Sequence, residues 1–480
     1  MQHALPRALV AVALSLLAGC GSDAASPASP GGGAEADAAT PDAPDAPPSD
    51  SGFQGAVEHP NFIFLLGEAR GWTSTSVLED DAIPDSKSAM FQTPSLDGLA
   101  AEGMTFADFY APSPRCMPSR ASYFTGKSPA QLHMTFIPEG NKDGAVHGNV
   151  VPPVTVVDLP TSNATIASLL KGAGYATAHY GKWHAGQTDP TSYGFDESDG
   201  PTTNRGPAGE TNPNPAQAFA TAQRGVDFMA KSVAAGKPFY LQVSHYGGGA
   251  EIDATPESWA AESARLAGHT VNDIADAAVI RDMDQTVASI LQKIDELGIA
   301  GTTYVIFSAD HGRAGTSANP PLKQGKGSVW EGGIRVPLFI RGPGVAARAH
   351  SHVRATQVDL LPTIAELAHL PGPLPAGLEG GSLASLFASG SGAVQRSRDE
   401  FVVHFPHYDK DPLGPASTIL LGDYKLIRFY EDGALHLFDL AQDLGEQSDL
   451  AAQMPDKVLE LDQRMTDYLT AIGAQLPGHL

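Results

Sequence analysis

Basic side chains are scarce in this chain. Lys and Arg number 30 against 54 Asp and Glu among 480 residues, a net charge of -24. A surface of that sign repels a phosphate backbone, so nucleic acid is not an expected partner. Cysteine is rarer still: with only Cys20 and Cys116, no disulfide framework can staple the fold. No uninterrupted apolar run reaches the ~20 residues that a membrane-spanning helix needs, which excludes a polytopic membrane protein. Internal repeats are missing as well, so a solenoid is not expected. What is present is 42% hydrophobic residues, enough for a sizeable core in a soluble globular chain.

The N-terminus accounts for one of the two cysteines. Arg7 gives a short positive start, Ala8 to Leu17 is apolar, and Leu17-Ala18-Gly19-Cys20 closes the run, the pattern of an export signal. Those closing residues resemble the lipobox of bacterial lipoproteins. The resemblance implies that residues 1–20 are a signal peptide and that Cys20 is lipidated; a plain secretory signal is the other reading. Residues 21–59 are dominated by Ala, Pro, Gly, Ser and Asp and cannot bury enough apolar surface to fold, so they read as an extended acidic tether. The expected protein is exported and membrane-anchored by its lipid alone, in the periplasm or at the outer membrane or cell surface. Cys116 is then the one remaining thiol, and in an oxidising compartment it needs a reason.

From Pro60 the pattern changes. Asn61–Leu66, Pro238–Val243 and Thr303–Phe307 are continuous apolar runs of the kind that form strands buried on both faces. Ile280, Met283, Val287, Ile290, Ile294 and Leu297 recur at helical spacing, with Gly298 as a stop. Thr165–Ala173 reads as a shorter helix leading into a strand at Tyr175–Ala178. Alternating helices and buried strands predict an α/β fold, a mostly parallel central sheet covered by helices on both faces. Glycine and serine at residues 389–393 separate a larger domain, 60–388, from a smaller C-terminal α+β subdomain, 394–480. The latter is expected to hold antiparallel strands near Lys425–Tyr430 and Leu435–Leu440 and a helix from Pro455 to Leu469. In such sheets ligands bind beyond the carboxyl ends of the strands. Glu68 and the pair Asp310-His311 both directly follow buried strands, so they are expected to converge.

Residues 113–126 carry the most specific chemistry. Pro118 suits a first helical turn, which puts Cys116 at a helix N-terminus where free N–H groups favour an anion. Arg120, one turn on, aims a bidentate cation the same way. A buried structural cysteine is the plainer alternative. Further along stand Gly181-Lys182-Trp183-His184-Ala185-Gly186, then Gly325-Lys326-Gly327, then Glu331-Gly332-Gly333-Ile334-Arg335-Val336-Pro337.

Together these segments resemble the type I sulfatases of the alkaline-phosphatase-like superfamily. Cys116, Pro118, Ser119, Arg120, Thr125 and Gly126 meet the Cys-x-Pro-Ser-Arg…Thr-Gly signature, and the likeness runs from Pro60 to about Leu469. It implies an arylsulfatase-like sulfuric ester hydrolase whose Cys116 is oxidised to formylglycine by a formylglycine-generating enzyme. It further implies that Arg120, Lys182 and Lys326 bind the sulfate, that His184 manages the nucleophile's proton, and that one Ca²⁺ is held by Glu68, the residue at 116, Asp310 and His311. Two positions depart from the family. The second aspartate expected after the first strand is Ala69, which leaves calcium short of oxygen ligands unless Asp80 and Asp81 fold back. The leaving-group histidine falls at Gly249, with His245 either a stand-in or a packing residue, and His407, beside His404, either a substrate contact or a structural residue.

The expected activity is hydrolysis of a sulfate ester on a small molecule or, better, a glycan. A phosphoester or phosphonate hydrolase of the same superfamily, and a protein that binds sulfated glycans without cleaving them, are the alternatives.

Overall fold

The computed structural model describes residues 57–137, 148–204, 217–247, 253–313 and 319–480. Cys20, Gly249 and nearly all of the tether lie outside the described residues. Eight strands of the described chain form one sheet: β1 (Asn61–Gly67), β2 (Met104–Phe106), β3 (Ala176–Gly181), β4 (Glu197–Ser198), β5 (Phe239–Ser244), β6 (Thr303–Ala309), β7 (Leu338–Arg341) and β8 (Ala349–Ser351), in the spatial order β8-β2-β7-β6-β1-β5-β3-β4. All neighbours pair in parallel except around β7, which runs antiparallel to both β6 and β2. The expected mostly parallel sheet is therefore present, with one reversed strand inside it.

The apolar runs become strands because both faces of the sheet are covered. Phe62, Phe64 and Leu66 point into one buried cluster, with Met117, Ala121 and Phe124 of helix α1 (Cys116–Thr125). Ile63 and Leu65 point into the other, with Met283, Val287, Ile290 and Ile294 of helix α2 (Val271–Glu296). The period of two along β1 thus feeds two cores. Helix α2 begins nine residues before the apolar periodicity does. Thr270 and Asp273 form a reciprocal capping box there, a start signal independent of the apolar stripe.

The C-terminal region holds a four-stranded antiparallel meander, β9 (Phe401–Phe405), β10 (Ala416–Leu421), β11 (Tyr424–Phe429) and β12 (Leu435–Asp439), with helix α3 (Pro455–Ala471) against it. Two of these strands were not expected. A buried ion network ties this sheet to the larger part of the chain: Lys425 on β11 reaches Glu331 at 2.9 Å and Glu446 at 2.8 Å. The Tyr110 hydroxyl donates to the same Glu331 at 2.8 Å. The glutamate of the Glu-Gly-Gly segment therefore serves the architecture. Its two glycines let the backbone pack on the loop that carries Lys326, since a Cβ at Gly333 would lie 2.0 Å from the Ser328 carbonyl oxygen. No helix among the described residues is long and apolar enough to cross a membrane.

Candidate active site

Strands β1 and β6 are hydrogen-bonded neighbours with Gly67 opposite Ala309, so the residues that follow them emerge side by side. Glu68 and Asp310 meet there as expected, both buried. Helix α1 points its first residue, Cys116, at them. The Cys116 Sγ lies 3.2 Å from Glu68 Oε1, 3.1 Å from His311 Nε2 and 3.5 Å from Lys326 Nζ. Arg120, one turn along α1 and fully buried, bridges the two carboxylates, with Nη2 3.1 Å from Glu68 and Nε 3.1 Å from Asp310. Lys182, delivered by the turn after β3, completes the group at 2.8 Å from Glu68 Oε1, while Lys326 stands 3.4 Å from the same oxygen.

Three cations therefore surround one glutamate beside one thiol. Burial alone would push the Glu68 carboxyl up, but Lys182, Lys326 and Arg120 and a hydrogen bond with Asp310 hold it well below the usual range. Asp310 is driven the opposite way by burial and by the charge on Glu68, only partly offset by His311 and Arg120. The Cys116 thiol is opposed by burial and by Glu68, yet Lys182, Lys326 and His311 bring it well below its ordinary value. The pocket thus favours negative charge at position 116. Burial opposes a charge on Lys326, but the anions around it raise its pKa, so it stays an ammonium at neutral pH.

Glu68, Cys116, Asp310 and His311 each offer a donor atom, and these atoms all lie within 4.8 Å of one another. His311 is oriented as a ligand would be: its Nδ1 donates to the Gly312 carbonyl at 2.9 Å, which turns Nε2 toward the cluster. Such a set fits a divalent cation. For calcium, which takes ~6–8 oxygens, two carboxylates supply at most four, and water must complete the shell. Ala69 offers no side-chain ligand; its backbone N–H donates to Asp310 Oδ1 at 2.9 Å. Asp80 and Asp81 do not fold back as substitutes. They group instead with His352, whose Nε2 is 2.8 Å from Asp81.

The histidines have different surroundings. His184 is buried in the Lys182 turn with a left-handed backbone (φ 45°), its N–H donating to the Thr202 carbonyl at 2.9 Å. His245 follows β5, but its ring nitrogens face the Leu66 carbonyl at 3.3 Å and the Thr286 hydroxyl at 2.8 Å. Burial takes its pKa down to about 4. His407 stacks on Phe136 at 4.8 Å, with Nε2 2.8 Å from the Thr135 hydroxyl, and burial takes it down to about 3. His404 is spanned by Ser417 and the Gln475 carbonyl. These three rings are held neutral by packing. Arg335 likewise braces the fold, against Ala107 O and Asp108.

Two neighbours of the site carry no sequence signal. Asn204 accepts from Lys182 Nζ at 2.6 Å. Gly247 packs so closely that a Cβ there would lie 2.6 Å from Glu68 Cγ, which makes room for the longer acid at position 68.

Comparison with known proteins gives the family. The sulfatase family model matches residues 60–370, and that of the C-terminal part of N-sulphoglucosamine sulphohydrolase matches residues 325–475. This chain belongs to the sulfatase family. It is 32% identical to N-acetylgalactosamine-6-sulfatase of Sus scrofa, over 68% of this chain and 66% of that protein. The chain spans 64% of the Rattus norvegicus counterpart, so it covers just under two thirds of these relatives. A sulfatase of Formosa agariphila is 28% identical, over 87% of this chain and 89% of its own length. In fold, the chain resembles the crystal structure of Ps i-CgsB in complex with k-i-k-neocarrahexaose, with a TM-score of 0.70, 22% identity, and coverage of 86% and 93%.

Proposed function

We propose that this sulfatase-family protein hydrolyses a sulfate ester of a sulfated carbohydrate to the alcohol and inorganic sulfate. The observation that carries the reading is the meeting of Arg120, Lys182 and Lys326 on one buried point beside Cys116. A buried triple cation inside a strongly acidic protein selects a small anion locally. The relatives' names support a sugar as the remainder of the substrate.

Cys116 suits conversion to formylglycine by a formylglycine-generating enzyme: it is buried at a helix start, and its surroundings favour an anion at that position. The modification would supply a hydrated aldehyde as nucleophile. A divalent cation, calcium in this proposal, would be held by Glu68, Asp310, His311 and the residue at 116, and would supply positive charge to the reacting oxygens. Arg120, held rigid by Glu68 and Asp310, fixes one side of the sulfate. Lys182 and Lys326 hold its other oxygens as negative charge spreads over them. Lys326 is within reach to protonate the departing oxygen, because His245 and His407 are bound elsewhere. His184, beside Lys182, manages the hydroxyl proton at 116. A screen of sulfate release over sulfated glycans, with Cys116→Ala as control, tests the reading. Release by no member of the panel, or equal release by the control, sinks it.

The proposal extends to localisation. Leu17-Ala18-Gly19-Cys20 supports export and lipid anchoring of the chain. A Cys20→Ala variant that stays as firmly with membranes as the parent contradicts it.

A further inference from the structure

We propose that Lys410 receives a second anionic group of the substrate, so that the site prefers glycans bearing a sulfate or carboxylate close to the scissile sulfate. The inference rests on the sulfatase reading and narrows its substrate class. Lys410 lies between β9 and β10, on a segment clamped at three points. His407 is fixed on Thr135 and Phe136. Asp409 accepts two hydrogen bonds from the guanidinium of Arg115, the residue directly before Cys116. The Asp409 carboxylate also lies over Gly327, where a Cβ would come within 2.3 Å of its Oδ2, and Gly327 follows Lys326. Asp411 accepts from the Trp330 indole at 2.8 Å. The segment is thereby seated on the residues that flank both the nucleophile and the sulfate-directed lysine.

Every other charged member of that segment has a partner. Lys410 is exposed, and among the described residues no carboxylate stands within ion-pair distance of its ammonium. It is close enough to feel Arg115, Lys326, Asp409 and Cys116. The partial desolvation of its stem and the charges of Arg115 and Lys326 pull its pKa down, and Asp409 only partly offsets them. A cation held beside other cations gains most from an arriving anion. The scissile sulfate already has Arg120, Lys182 and Lys326, so Lys410 is left for a different negative group.

The test compares the parent with Lys410→Gln and Lys410→Arg on para-nitrophenyl sulfate and on disulfated disaccharides from chondroitin and heparin. Sulfate release is measured on both probe types, and disaccharide binding by titration calorimetry. Loss of one charge-assisted contact predicts that Lys410→Gln loses about tenfold more kcat/KM on a disaccharide than on the aryl sulfate, mainly through KM. The difference should shrink in high salt, and Lys410→Arg should restore most of it. Equal losses on the two probe types overturn the assignment. If the parent turns over neither probe, the sulfatase reading fails separately. Calorimetry then still decides Lys410: a parent that binds no disaccharide, or binds it no better than Lys410→Gln, refutes its role.

Discussion

Replacing Glu68 by Gln keeps the side chain's shape and removes the charge at the centre of the site. The lost partners are Lys182 at 2.8 Å, Arg120 at 3.1 Å and Lys326 at 3.4 Å, all on a carboxylate buried with them. Removing one member of a buried ion cluster costs about 3–5 kcal/mol, because the remaining charges stay desolvated. Asp310 offsets part of that. Glu68 is one cause of its raised pKa, so it ionises more readily once Glu68 is neutral and compensates Arg120 better. The net loss is then nearer ~3 kcal/mol. Unfolding entropy of ~2.1 cal/mol/K per residue over a unit of roughly 430 residues gives ~0.9 kcal/mol/K, so the melting temperature should fall by about 3 °C. Sulfate release should fall about a hundredfold or more, since Lys182 and Lys326 lose the group that aims them. Scanning calorimetry and turnover on the same samples measure both, with Glu68→Asp as a variant that keeps the charge. A Gln variant that melts with the parent and retains its turnover refutes the view of Glu68 as the hub.

Three further outcomes are expected. Ala69→Asp should tighten binding of a divalent cation, seen as a larger thermal upshift on titrating Ca²⁺, because the left-handed backbone at 69 tolerates aspartate and the position adjoins Asp310; an unchanged titration contradicts this. Lys425→Met should destabilise by about 3 kcal/mol or more in urea denaturation, since it leaves Glu331 and Glu446 buried together without the cation they share; a neutral result would show that the network is not a tie. Acid should also destabilise the fold. Burial, the largest cause, takes His179 to about 3, His245 to about 4, His404 to about 4 and His407 to about 3, against ~6.5 when unfolded. The unfolded chain therefore takes up more protons as pH falls below ~6.5, so stability held at neutral pH is lost progressively towards pH ~3. A urea midpoint that does not move between neutral pH and mild acid contradicts it.

What could be read from the sequence follows from where the information sits. Asn61–Leu66 and Thr303–Phe307 are buried on both faces, so their composition alone marks them as central strands, and their adjacency brings Glu68 to Asp310. Cys116, Arg120, Lys182 and Lys326 lie in segments with fixed spacing and could be named before their convergence was visible. β9 and β10 were missed because polar residues such as His404 and Ser417 interrupt their apolar pattern. The partners of His245 and His407 are set by α2 and by the Thr135 loop, which no local pattern reveals. Asn204, Asp409 and Lys410 belong to loops whose place beside the nucleophile is decided by tertiary packing.

The central claim is that position 116 works as formylglycine in a sulfate-releasing site. The most direct measurement is the fraction of aldehyde at position 116, by tryptic mass spectrometry, followed against the rate of sulfate release across preparations made with increasing amounts of a formylglycine-generating enzyme. The account predicts a rate proportional to the aldehyde fraction and extrapolating to none when only the Cys116 thiol is present. Full activity in protein whose Cys116 is entirely unmodified would contradict it.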